Sequence, residues 1–178
     1  NFKSIEELSE TEMRLGGLRI NPVTNISSRE RYYNNVKIRV GRNSKDETLV
    51  GLPINGRFSN FSWSPNQKMM AFTNTVNSGV ELWVLDIQNK SAKKITEANL
   101  NANTGNPFSW FKDSNALLVK IISKDKKPLI DTKTAIPTGP TISVSEEGIK
   151  AQNRTYQDLL KNPSDEHNFE QLTLAELY

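Results

Sequence analysis

A serine-type hydrolase needs a nucleophile held on a strained strand-to-helix turn, G-x-S-x-G, with a histidine base beside it. The chain has one histidine, His167, within Asn162-Pro163-Ser164-Asp165-Glu166-His167-Asn168, and no G-x-S-x-G pattern. The polar, acidic neighbours of His167 predict a solvated ring, so no catalytic residue is expected within this chain. One histidine and no cysteine cannot supply a zinc site, and disulfide and thiolate chemistry are excluded. Asp46, Asp86, Asp113 and Asp125 fall at expected turns, without the spacing of a calcium loop. Leu15-Gly16-Gly17-Leu18 lacks the spacing of a phosphate-cradling loop. Glu146-Glu147 reads as a solvated acidic turn. No metal and no cofactor is expected.

The elements that would position any site are mostly strands. A tryptophan-centred signature occurs twice, 47 residues apart: Phe61-Ser62-Trp63-Ser64-Pro65-Asn66-Gln67 and Phe108-Ser109-Trp110-Phe111-Lys112-Asp113-Ser114. Each copy reads as strand, tryptophan, polar turn and apolar strand. A repeat of about 40–50 residues with this pattern points to blades of a β-propeller. The expected fold is mainly β, a partial, open propeller of about three blades with antiparallel sheets. Trp63, Trp83 and Trp110 are expected to form core between blades.

Four stretches follow from this pattern. Residues 1–57 form a lead-in and first partial blade, with a short helix near 4–15, where Ser4-Ile5-Glu6-Glu7 and Ser9-Glu10-Thr11-Glu12 have capping-box spacing. A brief strand is expected at 18–20, and strands at 32–40 and 47–52 make an outer hairpin. Residues 58–98 are the best-formed blade, with strands at 58–63, 68–74, 80–87 and 93–96. The run Val80-Glu81-Leu82-Trp83-Val84-Leu85-Asp86-Ile87 is apolar on both faces, as in a strand covered on both sides. Residues 99–150 hold another blade, with a strand at 115–123, and a loop carrying Pro128, Pro137 and Pro140. Residues 151–178 hold short helices near 155–170, the first ended by Asn162-Pro163. Residues 172–178 look like the opening strand of a further blade.

Apolar residues make up 35% of the chain and charged residues 24%. That is polar for a globular domain and typical of turn-rich β proteins. The net charge of +3 is spread along the chain, so no nucleic-acid partner is expected. No apolar run reaches the ~18 residues of a membrane span. A closed ring needs about four to eight blades. The chain begins with Asn1 and supplies fewer, so it reads as a segment of a longer polypeptide.

The turn after Trp63, the run Glu81-Leu82-Trp83-Val84-Leu85-Asp86-Ile87 and Ile95-Thr96 together resemble the TolB-like (WD-type) propeller repeat. Leu15-Gly16-Gly17-Leu18-Arg19-Ile20-Asn21-Pro22, then Asn25, Ser28-Arg29 and Tyr32-Tyr33, resemble the amino-terminal propeller of glutamyl endopeptidases. So do Pro137-Thr138-Gly139-Pro140 and Arg154-Thr155-Tyr156-Gln157-Asp158-Leu159-Leu160-Lys161, with Asp165-Glu166, Phe169 and Gln171-Leu172 after them. These enzymes are serine peptidases of the prolyl oligopeptidase group. The resemblance implies a propeller that covers a separate C-terminal α/β-hydrolase domain carrying the triad, and restricts its entry to peptides. It also implies an exported protein, periplasmic or secreted, by likeness to bacterial relatives.

If the whole enzyme cleaves after glutamate, an arginine is the natural partner for the substrate carboxylate. Arg19, Arg29 and Arg154 lie within the family-like motifs and are the substrate-binding candidates. Their plainer role, and the one favoured here, is to tie the flanking segments to the propeller. The alternative to a peptidase part is a free-standing propeller-like module that binds a protein partner and has no enzymatic activity. On either account the end blades lack neighbours, and the isolated chain is expected to self-associate.

Overall fold

A computed structural model describes residues 11–39, 41, 44–131 and 159–178. Among them the chain is mainly β, with three antiparallel sheets and one helix, and no closed ring of sheets.

The central sheet is a four-stranded meander, β4 (Phe58–Trp63), β5 (Met69–Val76), β6 (Gly79–Asp86) and β7 (Ser91–Lys94), in that order. Its strands alternate, so each side-chain set meets a different core. Ala71, Val80 and Leu82 pack on one face with Phe108 and Val119 of the next sheet. Phe58, Phe72 and Leu85 pack on the other face with Leu49, and Val36, Ile38 and Leu52 cover them. β6 contributes Val80 and Leu82 to one core, and Leu85 with Trp83 to the other. This two-sided cover is why its sequence is apolar throughout.

The next sheet has the order β10-β9-β8, with β8 (Phe108–Trp110), β9 (Leu117–Ile122) and β10 (Ala175–Leu177). Its strands β8 and β9 repeat β4 and β5 at the offset of 47 seen in the sequence. Trp63 pairs with Met70, and Trp110 with Leu117. The two turns share their main-chain bonds and one side-chain bond, while the bonds of the Ser64 hydroxyl have no counterpart at Phe111. Ser64 N–H donates to Met69 O at 2.9 Å, and Phe111 N–H to Ala116 O at 3.0 Å. Asn66 Oδ1 accepts from Lys68 N–H at 3.0 Å, and Asp113 Oδ1 from Asn115 N–H at 3.1 Å. Gln67 and Ser114 occupy the left-handed position, with φ of 58° and 64°. Short polar side chains at these turns therefore do structural work.

The third sheet joins β1 (Met13–Leu15), β2 (Leu18–Asn21) and β3 (Ile26–Ser27). Leu15 pairs with Leu18 across Gly16 and Gly17, whose φ values are 56° and 82°. Two positive-φ residues in a two-residue loop make a hairpin turn. That hairpin replaces the end of the helix expected near 4–15, whose residues 4–10 lie outside the described ones. Leu15 and Ile20 pack with Leu172 of helix α1 (Pro163–Thr173).

Three further expectations change. The described residues of the strands expected at 32–40 and 47–52 do not form strands but make single bridges: Tyr33 to Phe58, Ile38 to Glu47, and Val50 to Ser91 in parallel. Their apolar side chains still cover the central sheet, so the alternation reflects packing without a ladder. Asn162-Pro163 begins a helix rather than ending one. Asn162 is the N-cap, its Oδ1 accepting from Asp165 N–H at 2.9 Å, and Pro163 needs no partner in the first turn. Expected helical residues 155–158 and the prolines at 137 and 140 lie outside the described residues. Residues 172–178 do not open a new sheet: Leu172 stays in α1, and β10 pairs antiparallel with β9, completing the sheet that β8 begins.

Side chains of helix α1 hold the main chain that follows β9. Asn168 Nδ2 donates to Ile130 O at 2.8 Å while its Oδ1 accepts from Ile130 N–H at 2.7 Å. Gln171 Oε1 accepts from Lys127 N–H at 2.7 Å. His167 Nε2 lies 3.0 Å from Pro128 O. Asn101 and Asn103 secure the far end, both donating to Leu172 O, at 3.0 and 2.7 Å.

Candidate functional site

Two arginines of the family-like motifs, Arg19 and Arg29, gather on one carboxylate. Glu12 accepts from the Ser28 hydroxyl at 2.5 Å and from Arg14 Nε at 2.8 Å. Arg19 and Arg29 each approach it to 3.4 Å. The Ser28 hydrogen bond, with Arg14 and Arg29 beside it, holds Glu12 at about 2 against the opposing effect of burial. The cluster fastens β1, β2 and the segment after β3 to one another. Arg19 and Arg29 therefore already face an internal carboxylate, while Arg154 lies outside the described residues. Glu12 was visible in the sequence only as a capping-box member, because its partner Ser28 is 16 residues away.

The tryptophans of the repeat have three different environments. Trp110 packs against the core between the two repeated sheets and donates its Nε1–H to Ser62 O at 3.1 Å. Trp83 packs on the opposite face of the central sheet, its Nε1–H given to Glu81 Oε2 at 2.8 Å. Trp63, expected in the core, is 55% exposed. It lies at the end of edge strand β4, on the face that the bridged segment 33–52 covers only in part.

Trp63 and Trp110 line an open cleft between β4 and β8, with a cavity volume of about 330 Å³. Phe61 also lines it, stacked on Phe72 at 5.6 Å and met edge-on by Tyr33 at 5.7 Å. The other walls include Asn60, Pro65 and Asn106. None of the lining residues carries a charge, so the cleft has aromatic surface and amide groups but no acid, base or nucleophile pair.

Among the described residues no cluster of histidine, cysteine and carboxylate side chains could hold a metal ion. Asp46 is engaged by Arg39 at 2.5 Å, and Asp86 accepts from Asn89 N–H at 2.9 Å. Glu146 and Glu147 lie outside the described residues. No described helix is long and apolar enough to cross a membrane.

The chain has relatives among known proteins. It is 29% identical over 97% of its length to a rice protein (Oryza sativa subsp. japonica) named "Probable glutamyl endopeptidase, chloroplastic". It is 30% identical over 97% of its length to an Arabidopsis thaliana protein of the same name. The alignments cover 20% of each relative, so the chain spans about a fifth of the length of the curated relatives it matches. No family model matches, and no solved structure gives a significant match. The expected periplasmic or secreted location is overturned, since both relatives are plant proteins named as chloroplastic. Their similarity extends along nearly the whole chain, the flanks outside the repeat included.

Proposed function

We propose that this chain is the non-catalytic propeller part of a serine peptidase, one that cleaves peptides after glutamate and reaches its substrates through the propeller. The observation that carries this reading is the similarity over 97% of the chain to proteins named as glutamyl endopeptidases. Two antiparallel hairpins, repeated at one offset and packed face to face, support the propeller. The chain's part is then to admit extended peptides to a separate α/β-hydrolase domain and exclude folded proteins. Arg19 and Arg29 serve as ties within the lead-in, which leaves recognition of the substrate glutamate to residues elsewhere.

The test uses two products, the 178-residue chain and the same chain extended through the reading frame that follows Tyr178. A fluorophosphonate probe, which labels activated serines, is expected to label the extended product only. The extended product should also release a chromophore from a peptide with glutamate before the scissile bond. A frame that lacks G-x-S-x-G, or an extended product that takes no label, overturns the proposal and leaves a binding module.

A further inference from the structure

Asn55-Gly56 is the one Asn–Gly pair in the sequence, and the fold demands each half of it. Asn55 has φ of 57° in the turn that leads from the bridged segment 33–52 into β4. Asparagine is among the few residues with a side chain that accept this conformation. Gly56 packs beneath the Phe58 ring, where a Cβ would lie 2.1 Å from Cζ, so only glycine fits. The pair is left open to chemistry. Among the described residues the Asn55 carboxamide has no hydrogen-bond partner and the Gly56 N–H has no acceptor. No main-chain bond therefore closes the turn. Asn55 is exposed and lines an open cavity of about 410 Å³ that also holds Asp46 and Glu47. Asn25 and Asn60 also have positive φ, but Ile26 and Phe61 follow them, and those side chains crowd the next amide nitrogen.

We propose that Asn55-Gly56 is a site of spontaneous deamidation and isomerisation, and that the isoaspartate product loosens the join between the bridged segment and the central sheet. The Gly56 amide nitrogen loses its proton to base and attacks Asn55 Cγ. A C–N bond forms, the carboxamide C–N bond breaks, and ammonia leaves. Without a Cβ on Gly56, no side chain shields that nitrogen. Water then opens the cyclic imide at either carbonyl. One product is aspartate on the original backbone, and the other is isoaspartate, whose main chain runs through the side-chain carbon. Either product lowers the net charge of +3 by one and adds a carboxylate to a wall that already carries Asp46 and Glu47. Isoaspartate also lengthens the main chain just before Gly56. Gly56 cannot shift without moving the Phe58 ring, which is buried with Leu49, Phe72 and Leu85.

The experiment ages the 178-residue chain in mildly alkaline buffer and follows it by mass spectrometry after trypsin digestion. Cleavage after Lys45 and Arg57 releases residues 46–57, in which Asn55 is the only asparagine and no glutamine occurs. That peptide should gain the mass of an oxygen exchanged for an N–H, and should accept a methyl group from an isoaspartate methyltransferase. Its rate in the folded chain should lie within about threefold of the rate in the same peptide free in solution, as an unprotected turn allows. N55Q keeps a carboxamide but would have to close a larger ring, and should remove methyl acceptance from this peptide. N55D carries the new charge on a normal backbone, so the isoaspartate form, separated by charge, should melt below it. No mass gain in residues 46–57, a gain more than about tenfold slower than in the free peptide, or another asparagine changing first would each overturn the site. An isoaspartate form that melts with N55D would overturn the loosened join.

Discussion

Glu12 is the side chain whose ionisation matters most to the amino-terminal sheet. Its folded value of about 2 lies below the usual 4.5. The stabilisation from its charge is therefore complete above about pH 4.5 and is lost as pH falls towards 2. Thermal melts between pH 5.5 and 2.5 should show a falling Tm, and E12Q should flatten that slope. An unchanged slope would count against the cluster. Trp110 makes a different prediction. W110F removes the donor to the half-buried Ser62 carbonyl, which should cost about 1 kcal/mol in urea unfolding. The spacing of Trp63 and Trp110 was plain in the sequence because turn chemistry is local. The exposure of Trp63 was not, since what covers a ring depends on segments far away in the chain. The Glu12 cluster was hidden for the same reason.

Among the elements, α1 was legible in its polar start but assigned the wrong boundary. Asn162-Pro163 serves equally well as a stop or as an N-cap followed by a first-turn proline, and the side chain of Asn162 decides for the latter. N162A should lower stability by about 1 kcal/mol and loosen the contacts of Leu172 with β1 and β2. Amide exchange along residues 165–172 would register both effects. Gly16 is a stricter position. It has φ of 56°, and a Cβ there would lie 2.9 Å from the Phe169 ring. G16A should destabilise by roughly 1–2 kcal/mol, since left-handed strain adds to the clash. Denaturant midpoints that match the parent protein would contradict this. Residues 32–52 misled by their alternation, which packing on a sheet produces as readily as pairing within one.

At the scale of the molecule, the described residues cover the central sheet on both faces and the β8–β10 sheet on one. Leu117, Val119 and Ile121 point into the shared core, which leaves Leu118 on the far side, 39% exposed, with Leu177, the cross-strand partner of Lys120, on that same side at 65%. The isolated chain should self-associate through this surface, and L118K should oppose it. Sedimentation at several concentrations tests both; a parent chain that stays monomeric throughout would refute the contact. The order of the last sheet has a consequence for synthesis. β9 ends at Ile122 and its partner β10 begins only at Ala175. At ordinary elongation rates, roughly 3–10 s separate the two strands as they leave the ribosome. Until then β8 and β9 are a two-stranded hairpin with an open edge, marginal by itself. The nascent chain passes through a window in which the central sheet can fold and its neighbour cannot, and a chaperone that shields strand edges would act there.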